Sequence, residues 1–367
     1  MKRLKRGQKV QSPVSGKVYE IVDVLGEGGF GAAYRAWELN RRGKRYDEVC
    51  IKVTLDQTSW HRESYFGELL SRSKRAIQML DTFPLAPKSK AGRMAFCLVL
   101  ELAEHGTIVD YLEATGRPWG EKRAVRETVA LLKLLDQLHG GSATHRDLTP
   151  MNVFVTGKKG ALKLGDFGIA RHALAGAPQT IDAFNPAFVT QGFLTDEHRY
   201  WRAVDDVFQM GQLLCMLLRG GDPELQLKPK DVAKLGVSAD LQRVLERAIG
   251  PRKQRYQDAY ELMQALEGEP DPEPVKIRSL KGKTVVFTGP LSIRRFDAEV
   301  LVCQAGGAVA GSMTKDVDVV VQGGRSPNYK DGHKGTKLKK AEQLRKKGQK
   351  IAILSEAQFR RLVREKD

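Results

Sequence analysis

The sequence predicts a large α+β domain of two lobes, followed by a small parallel α/β domain. Short β-rich runs with one helical segment fill the chain to about residue 102, and helical spacing dominates from Ile108 to Leu218. Strand and helix patterns alternate from Lys283 onward, which is typical of a small parallel sheet. Between these regions, Glu267 to Ile277 combines three prolines with four acidic residues, as interdomain linkers do. We therefore predict domains at residues 17–267 and 279–367, with an acidic, proline-rich linker at 268–278.

The composition predicts a folded chain that binds an anionic partner. The 367 residues include 41% hydrophobic and 29% charged ones, which excludes wholesale disorder. A formal charge of +17 favours contact with nucleic acid, nucleotide or acidic protein, without choosing among them. The four cysteines form no CxxC pair, so neither a zinc site nor a disulfide framework is predicted.

The expected location is the cytoplasm. The basic first ten residues are followed by a polar segment rather than by the apolar core of a signal peptide. The most apolar runs are far shorter than the roughly 20 residues that cross a bilayer. We therefore expect no membrane partner.

A glycine-rich turn lies between two predicted strands of the first lobe. The apolar run Tyr19 to Val24 leads into Gly26, Gly28 and Gly31, which form a GxGxxG pattern before the next strand. A dinucleotide-binding turn of this pattern would instead run from a strand into a helix. Alone, the triplet is weak evidence for phosphate binding, because glycine triplets also occur in ordinary hairpins. Its interpretation depends on the motifs that follow.

Three further motifs follow the glycine-rich turn. They are Val49-Cys50-Ile51-Lys52, then His145-Arg146-Asp147 with Asn152, then Asp166-Phe167-Gly168. Together with the glycine-rich turn, and in this order and spacing, they resemble the glycine loop, VAIK, HRDxxxxN and DFG motifs of eukaryotic-type (Hanks-type) protein kinases. Asp206 to Gly211 is similar to that family's DxWxxG segment, and Arg255 to its late arginine. The resemblance covers residues 17–267 and implies the bilobal kinase fold, with a small antiparallel β lobe and a mainly helical lobe.

The resemblance also implies an ATP-dependent Ser/Thr protein kinase in which each motif acts in phosphoryl transfer. The backbone of Gly26 to Gly31 would cover the phosphates of ATP, and Lys52 would contact the α and β groups while pairing with a helix carboxylate. We assign that carboxylate to Glu68, with Glu63 as the alternative. Asp147 would accept the proton of the substrate hydroxyl.

Magnesium and adenine sites follow from the same resemblance. Asn152 and Asp166 would hold Mg²⁺, whose charge offsets that of the triphosphate. The segment Leu98 to Ala103 resembles the hinge that reads the adenine edge through its backbone, which assigns Glu101 and Ala103 to the nucleotide. Phe154 would lie beneath the base.

Two features depart from the family pattern. Thr149 and Met151 stand where Ser/Thr or Tyr kinases carry a lysine or arginine, although Pro150 keeps the loop similar to that of Ser/Thr kinases. The segment that best matches the family's APE motif is Asn185-Pro186-Ala187, which lacks the glutamate that normally pairs with Arg255. The alternative function is therefore a pseudokinase scaffold that binds nucleotide. Thr180 is the only hydroxyl residue between Gly168 and Pro186, so at most one phosphorylation site is expected there.

The last domain resembles the BRCT domains of bacterial NAD-dependent DNA ligases. The resemblance rests on Lys281 to Gly289 as an opening strand, Gly306-Gly307 after a helix, and Gly335-Thr336-Lys337 before another helix. Phosphate-binding BRCT domains use a Ser or Thr hydroxyl, the amide of the next glycine and a lysine of the second helix. The resemblance therefore implies that Thr288, Gly289 and Lys337 contact a phosphate. The alternative is that Thr288 and Gly289 only turn the chain and that Lys337 is solvated.

A basic face is predicted in the same domain. The cations between Lys330 and Lys350 are Lys334, Lys337, Lys339, Lys340, Arg345, Lys346 and Lys347, opposed only by Asp331 and Glu342. Such density favours contact with DNA phosphates. The predicted partners are thus a protein substrate for the kinase domain, and a phosphoprotein, DNA or both for the BRCT domain.

Overall fold

The structure is a computed structural model, and it describes residues 3–28, 31–87, 93–172, 188–189, 201–222, 225–268, 277–323 and 335–364. The chain divides into two compact units, Met1–Gly268 and Glu269–Asp367. Each unit contains its own clusters of buried apolar side chains.

The first unit begins with a six-stranded antiparallel sheet in the order β1-β2-β3-β4-β6-β5. Its strands are β1 (Lys9–Gln11), β2 (Val18–Gly28), β3 (Gly31–Leu39), β4 (Arg45–Thr54), β5 (Met79–Leu85) and β6 (Ala95–Glu101). Alternate residues of β3, including Ala32, Tyr34 and Ala36, are buried, as expected for strands with one face on a core. Strand β1 precedes residue 17, so the sheet begins before the boundary that the sequence pattern suggested.

Helix α1 (Gln57–Leu69) contacts this sheet. The side chain of Asp56 caps its first turn by accepting a hydrogen bond from the Thr58 amide at 2.9 Å. Ser59, Glu63 and Phe66 are the buried residues of this helix. Their spacing of four and three residues places them on one side of the helix.

The second lobe of this unit is mainly helical. Its helices are α2 (Ile108–Thr115), α3 (Glu121–Gly140), α4 (Ala203–Arg219), α5 (Ala239–Ala248) and α6 (Ala259–Leu266), with a 3₁₀ helix at Pro229–Leu235. Every residue of α4 from Val204 to Leu218 is buried, so this helix forms the centre of the lobe. Two small antiparallel pairs carry the loops of the site: β7 (Ala143–Thr144) with β10 (Arg171–His172), and β8 (Val153–Thr156) with β9 (Ala161–Leu164).

The second unit is a four-stranded parallel sheet with helices between its strands. Its elements are β11 (Thr284–Thr288), α7 (Arg295–Gln304), β12 (Ala308–Val309), β13 (Val319–Gln322), α8 (Thr336–Lys346), β14 (Ala352–Ser355) and α9 (Glu356–Arg364). The sheet order is β12-β11-β13-β14. Val285 and Phe287 enter one apolar cluster while Val286 enters another, because successive side chains of β11 point to opposite faces. Both faces of the sheet are therefore covered.

Within the described ranges, no helix is both long enough and apolar enough to cross a membrane.

Candidate active site

A cleft of about 430 Å³ lies in the first unit, between its sheet and its helical lobe. Most residues that the sequence motifs singled out line this cleft. They are Gly26, Gly28, Gly31, Lys52, Glu101, Ala103, Asn152, Phe154 and Asp166. The cleft therefore brings together segments that are more than a hundred residues apart in sequence.

Strand β4 places Lys52 in the cleft through the alternation of its side chains. Val49, Ile51 and Val53 are buried in the core of the sheet, so the residues between them, Cys50 and Lys52, face the opposite side and line the cleft. Lys52 pairs with Ala33 of β3 and with Leu98 of β6 on the two neighbouring strands. This ammonium group thus stands on a rigid, central strand of the sheet.

The Lys52 ammonium contacts two carboxylates. Its Nζ lies 2.8 Å from Glu63 Oε2 on α1 and 2.8 Å from Asp166 Oδ1. Burial alone would lower the pKa of Lys52, but the two carboxylates outweigh it and raise the pKa. Lys52 therefore stays protonated.

The assignment of Glu68 as the partner of Lys52 was wrong, and the alternative, Glu63, makes the contact. Glu68 is exposed, whereas Glu63 is only 5% exposed. Five residues correspond to about 140° around a helix of 3.6 residues per turn, so the two glutamates cannot face the same side. Helix α1 presents the side that carries Glu63 to the cleft.

Asp147 and Asn152 lie next to each other beside this charge cluster. Asn152 Nδ2 donates to Asp147 Oδ2 at 2.7 Å and to the Asp147 carbonyl at 3.0 Å. Burial, together with the negative charge of Asp166, raises the pKa of Asp147 to about 6. Asp147 is thus a carboxylate with raised proton affinity and a side-chain orientation fixed by Asn152.

Asp166 carries a low pKa although burial opposes it, because the Lys52 ammonium stabilises its charged form. Its backbone is in the left-handed region, with φ of 54°. Phe167, the next residue, is buried, and its ring lies 5.9 Å from Phe66 and 4.7 Å from His145, centroid to centroid. The Phe167 ring thus packs between helix α1 and the His145 loop, directly after Asp166.

The loop around Asp147 is held by two side chains of helix α4. Asp206 accepts the amide hydrogens of His145 at 2.9 Å and Arg146 at 3.0 Å. Gln209 accepts from the Leu148 amide and donates to the Arg146 carbonyl, both at 3.0 Å. Sequence reasoning located this segment through its aspartate but gave Gln209 no role; its place three residues after Asp206, one helical turn along, was the available signal.

The predicted hinge follows strand β6. The Glu101 side chain pairs with Lys163 of β9, and the Glu101 amide donates to the Gln78 carbonyl at 2.8 Å. Leu102 and Ala103 then line the cleft, and the Phe154 ring from β8 lines it as well. The predicted hinge residues thus line the cleft together with Phe154.

The glycine-rich turn is described except at residues 29 and 30. Gly31 has φ of 134°, and a Cβ atom there would lie 2.1 Å from the Val53 carbonyl oxygen. Only glycine fits this position without displacing β4. Gly26 and Gly28, by contrast, would have open space around an added Cβ.

Thr180 and Asn185-Pro186-Ala187 lie outside the described residues. Arg255, which lacks the family's glutamate in sequence, is buried. Its Nε donates to the Gly250 carbonyl at 2.6 Å, and its guanidinium lies 4.3 Å from the centre of the Phe208 ring. Burial lowers its pKa to about 10. A backbone carbonyl and an aromatic face thus contact Arg255.

In the second unit, Thr288 ends strand β11 and is buried, and Gly289 turns the chain with φ of 77°. Two cations lie beside this turn. Lys337 Nζ donates to the Phe287 carbonyl at 3.3 Å, and Arg295 Nη2 donates to the Gly289 carbonyl at 2.7 Å. Burial and the neighbouring Arg295 lower the pKa of Lys337. Sequence reasoning did not single out Arg295.

Comparison with known proteins gives a family for the first unit. A family model described as the protein kinase domain matches residues 19–269. Serine/threonine-protein kinase PknB of Mycobacterium tuberculosis is 27% identical over 312 residues, which cover 76% of this chain and 48% of PknB. A probable serine/threonine-protein kinase of Streptomyces coelicolor is 26% identical over 288 residues (72% of this chain, 42% of the relative). Serine/threonine-protein kinase PEPKR2 of Arabidopsis thaliana is 28% identical over 196 residues (53% and 38%).

The chain spans about half or less of the length of these relatives. The family model, however, matches well over half of the chain, including strands β3 to β6, nearly all of β2, helix α1 and the helical lobe. The antiparallel sheet and the helical lobe also confirm the predicted bilobal fold. The chain therefore belongs to the protein kinase family.

Proposed function

We propose that the first unit transfers the terminal phosphoryl group of ATP to a Ser or Thr hydroxyl of a protein substrate. The observation that carries this proposal is the contact of Lys52 with both Glu63 and Asp166, in the cleft that also holds Asn152 beside Asp147. Phosphoryl transfer needs positioned charge more than covalent chemistry, and this cleft supplies it. The three relatives described above are named as serine/threonine kinases.

Protein kinases use ATP and Mg²⁺, and the residues here fit a hard cation. Asp166 offers a carboxylate, and Asn152 uses its nitrogen for Asp147, which leaves its amide oxygen for the metal. When bound, Mg²⁺ would offset the charge of the triphosphate. Lys52 would contact the α and β phosphates, with the backbone of Gly26 to Gly31 above them and Glu101 and Ala103 beside the base.

Asp147 would take the proton of the attacking hydroxyl. Its raised pKa suits this task, since a base accepts a proton better as its own proton affinity rises. Asn152 keeps the carboxylate oriented while it does so. Pro150 supports a Ser/Thr substrate rather than a Tyr substrate. The cytoplasmic location of the protein is a separate prediction from the sequence.

Purified protein given labelled ATP and Mg²⁺ should label itself or a generic Ser/Thr substrate. Asp166→Ala should abolish the labelling, and removal of Mg²⁺ by EDTA should do the same. Labelling that survives Asp166→Ala would contradict the proposal. Nucleotide binding without turnover would support the pseudokinase scaffold instead, which the neutral Thr149 in place of a cation favours.

We propose that the second unit is a BRCT-like domain that binds a phosphorylated group. The supporting observation is the pair of cations, Lys337 and Arg295, beside the Thr288–Gly289 turn. A hydroxyl, a backbone amide and cations all donate to phosphate oxygens. Recruitment of a phosphoprotein, or of DNA through the basic residues of α8, would then bring the kinase to its substrate.

The full chain should bind a phosphopeptide more tightly than the unphosphorylated peptide. Lys337→Glu should remove that preference, whereas Lys347→Glu makes the same charge change about 15 Å away, at the residue that follows helix α8, and should keep it. Duplex DNA tested beside the peptides at low salt distinguishes the two partners. If neither ligand binds, the recruitment proposal fails.

A further inference from the structure

Gln209 is a buried glutamine on helix α4 whose side-chain oxygen and nitrogen both bond to the loop that carries Asp147. It is 1% exposed. Its Oε1 accepts the Leu148 amide hydrogen and its Nε2 donates to the Arg146 carbonyl, each at 3.0 Å. One side chain therefore binds the backbone on both sides of Asp147.

These two hydrogen bonds act on the two peptide groups that flank Asp147. The Arg146 carbonyl belongs to the peptide group before Asp147, and the Leu148 amide to the one after it. Because each peptide group is planar, holding both of them fixes the two backbone dihedrals of Asp147. The direction of its Cα–Cβ bond is then fixed as well.

The loop needs such support because Arg146 has an unfavourable backbone conformation. Its φ is 76°, in the left-handed region that residues other than glycine seldom adopt. Strained residues of this kind persist only where their surroundings hold them. Asp206 holds the amide of Arg146, and Gln209 holds its carbonyl.

We propose that Gln209 is a positioning residue that sets the orientation of the Asp147 carboxylate for phosphoryl transfer. This inference rests on the proposed kinase function. Asp206 fixes the loop up to Arg146, Gln209 fixes the backbone on both sides of Asp147, and Asn152 fixes the carboxylate itself. Gln209 does not line the cleft, so it acts only through the loop.

Helix α4 provides a matched control one turn further along. Gln212 is also buried, and its side chain makes the same pair of backbone hydrogen bonds, to the Leu227 carbonyl at 2.8 Å and the Leu227 amide at 2.9 Å. Leu227 is not part of the cleft. Loss of the Gln212 amide therefore removes equivalent bonds without touching the Asp147 loop.

The test compares Gln209→Met with Gln212→Met in the full chain, since methionine keeps the length of glutamine without its polar atoms. Thermal unfolding, the KM for ATP and kcat are measured for both. We expect similar losses of thermal stability in the two variants. Gln209→Met should lower kcat by about ten- to a hundredfold, as misplacement of a reacting group by an ångström does, with KM for ATP within about twofold. Gln212→Met should keep kcat within about threefold of the unsubstituted protein.

Equal effects of the two substitutions on kcat would overturn the inference, because Gln209 would then be structural only. If either methionine variant fails to fold, Gln209→Asn and Gln212→Asn repeat the comparison with smaller, still polar side chains that cannot reach both backbone groups. An inactive unsubstituted protein would refute the proposed kinase function itself. An active protein that Gln209→Met does not slow would refute only the role of Gln209.

Discussion

At the scale of single residues, position on a helix determines which of two glutamates forms an ion pair with Lys52. Glu63 and Glu68 are chemically identical and only five residues apart, yet one is buried against the ammonium and the other is exposed. The difference is about 140° of rotation around α1. Substituting each glutamate in turn therefore separates the effect of losing the ion pair with Lys52 from the effect of losing a negative charge on helix α1.

Glu63→Gln should lower the rate of ATP-dependent phosphorylation by at least about tenfold, because Lys52 loses the carboxylate that orients it toward the phosphates. Glu68→Gln removes the same charge from the same helix and should leave the rate within about twofold. Steady-state phosphorylation of a generic substrate measures both. A larger effect at Glu68 than at Glu63 would contradict the geometry.

His145 makes folding of the first unit sensitive to mild acid. Burial lowers its pKa, although the charges of Asp206 and Asp166 partly oppose this. The unfolded chain, with an ordinary histidine pKa of about 6.5, therefore takes up a proton that the folded chain refuses. The contribution of His145 to stability is fully present above that pH and is lost as the pH falls below it.

When the pH falls from about 7.5 to about 5.5, the free energy of unfolding of His145→Phe should therefore decrease by less than that of the unsubstituted protein. Urea titrations followed by tryptophan fluorescence report on the first unit alone, since Trp37, Trp60, Trp119 and Trp201 all belong to it. The raised pKa values of Glu63 and Asp147 act in the opposite direction but are common to both proteins. Parallel losses in the two proteins would argue against a neutral buried His145.

At the scale of elements, helix α4 organises the helical lobe through Asp206. This carboxylate also accepts from Trp201 Nε1 at 2.8 Å and lies 2.9 Å from His139 Nε2. Burial would raise the pKa of Asp206, but His139 and the His145 amide lower it, so the group stays charged. One side chain thus joins α3, α4 and the loop of Asp147.

Asp206→Ala should destabilise the first unit by about 3–5 kcal/mol, because buried donors lose their charged acceptor. Asp240→Ala, at an exposed position of helix α5, should cost less than about 0.5 kcal/mol. Urea unfolding followed by tryptophan fluorescence compares the two. Similar small losses would mean that water or another group replaces the carboxylate.

The fold was more predictable from the sequence than the details of the site. Its motifs are short runs with fixed local spacing, and strand alternation alone directs Lys52 away from the core of the sheet. The choice of Glu63 depended instead on the rotation of α1, and the contacts of Gln209 join residues about sixty positions apart. Neither follows from local pattern, because tertiary packing determines both.

Strand β1 was missed for a related reason. It has three residues, too few for a clear alternation, and it forms because β2 offers it backbone partners. The BRCT-like assignment of the second unit stays a prediction, although the parallel sheet in the order β12-β11-β13-β14 agrees with the predicted alternation of strands and helices.

At the scale of the whole molecule, nucleotide binding should stabilise the first unit. ATP with Mg²⁺ at about 100 times its Kd should add about 2.7 kcal/mol to the free energy of unfolding seen by tryptophan fluorescence. Asp166→Ala should reduce this gain, because the metal loses its carboxylate. Lys337→Glu, in the second unit, should leave the gain unchanged. No stabilisation at any ATP concentration would contradict nucleotide binding in the cleft.

Strand β1 also bears on how the protein is produced. It pairs with Val18 to Glu20, while Gly7 and Gln8 bond to the backbone of Ile21, so the outer edge of β2 is covered there. A fragment that starts at residue 17 would expose these backbone groups as a template for strands of other molecules. Such a fragment should self-associate and precipitate. Its light scattering should therefore exceed that of a fragment that starts at residue 3. Expression of the kinase unit should therefore keep the segment ahead of residue 17.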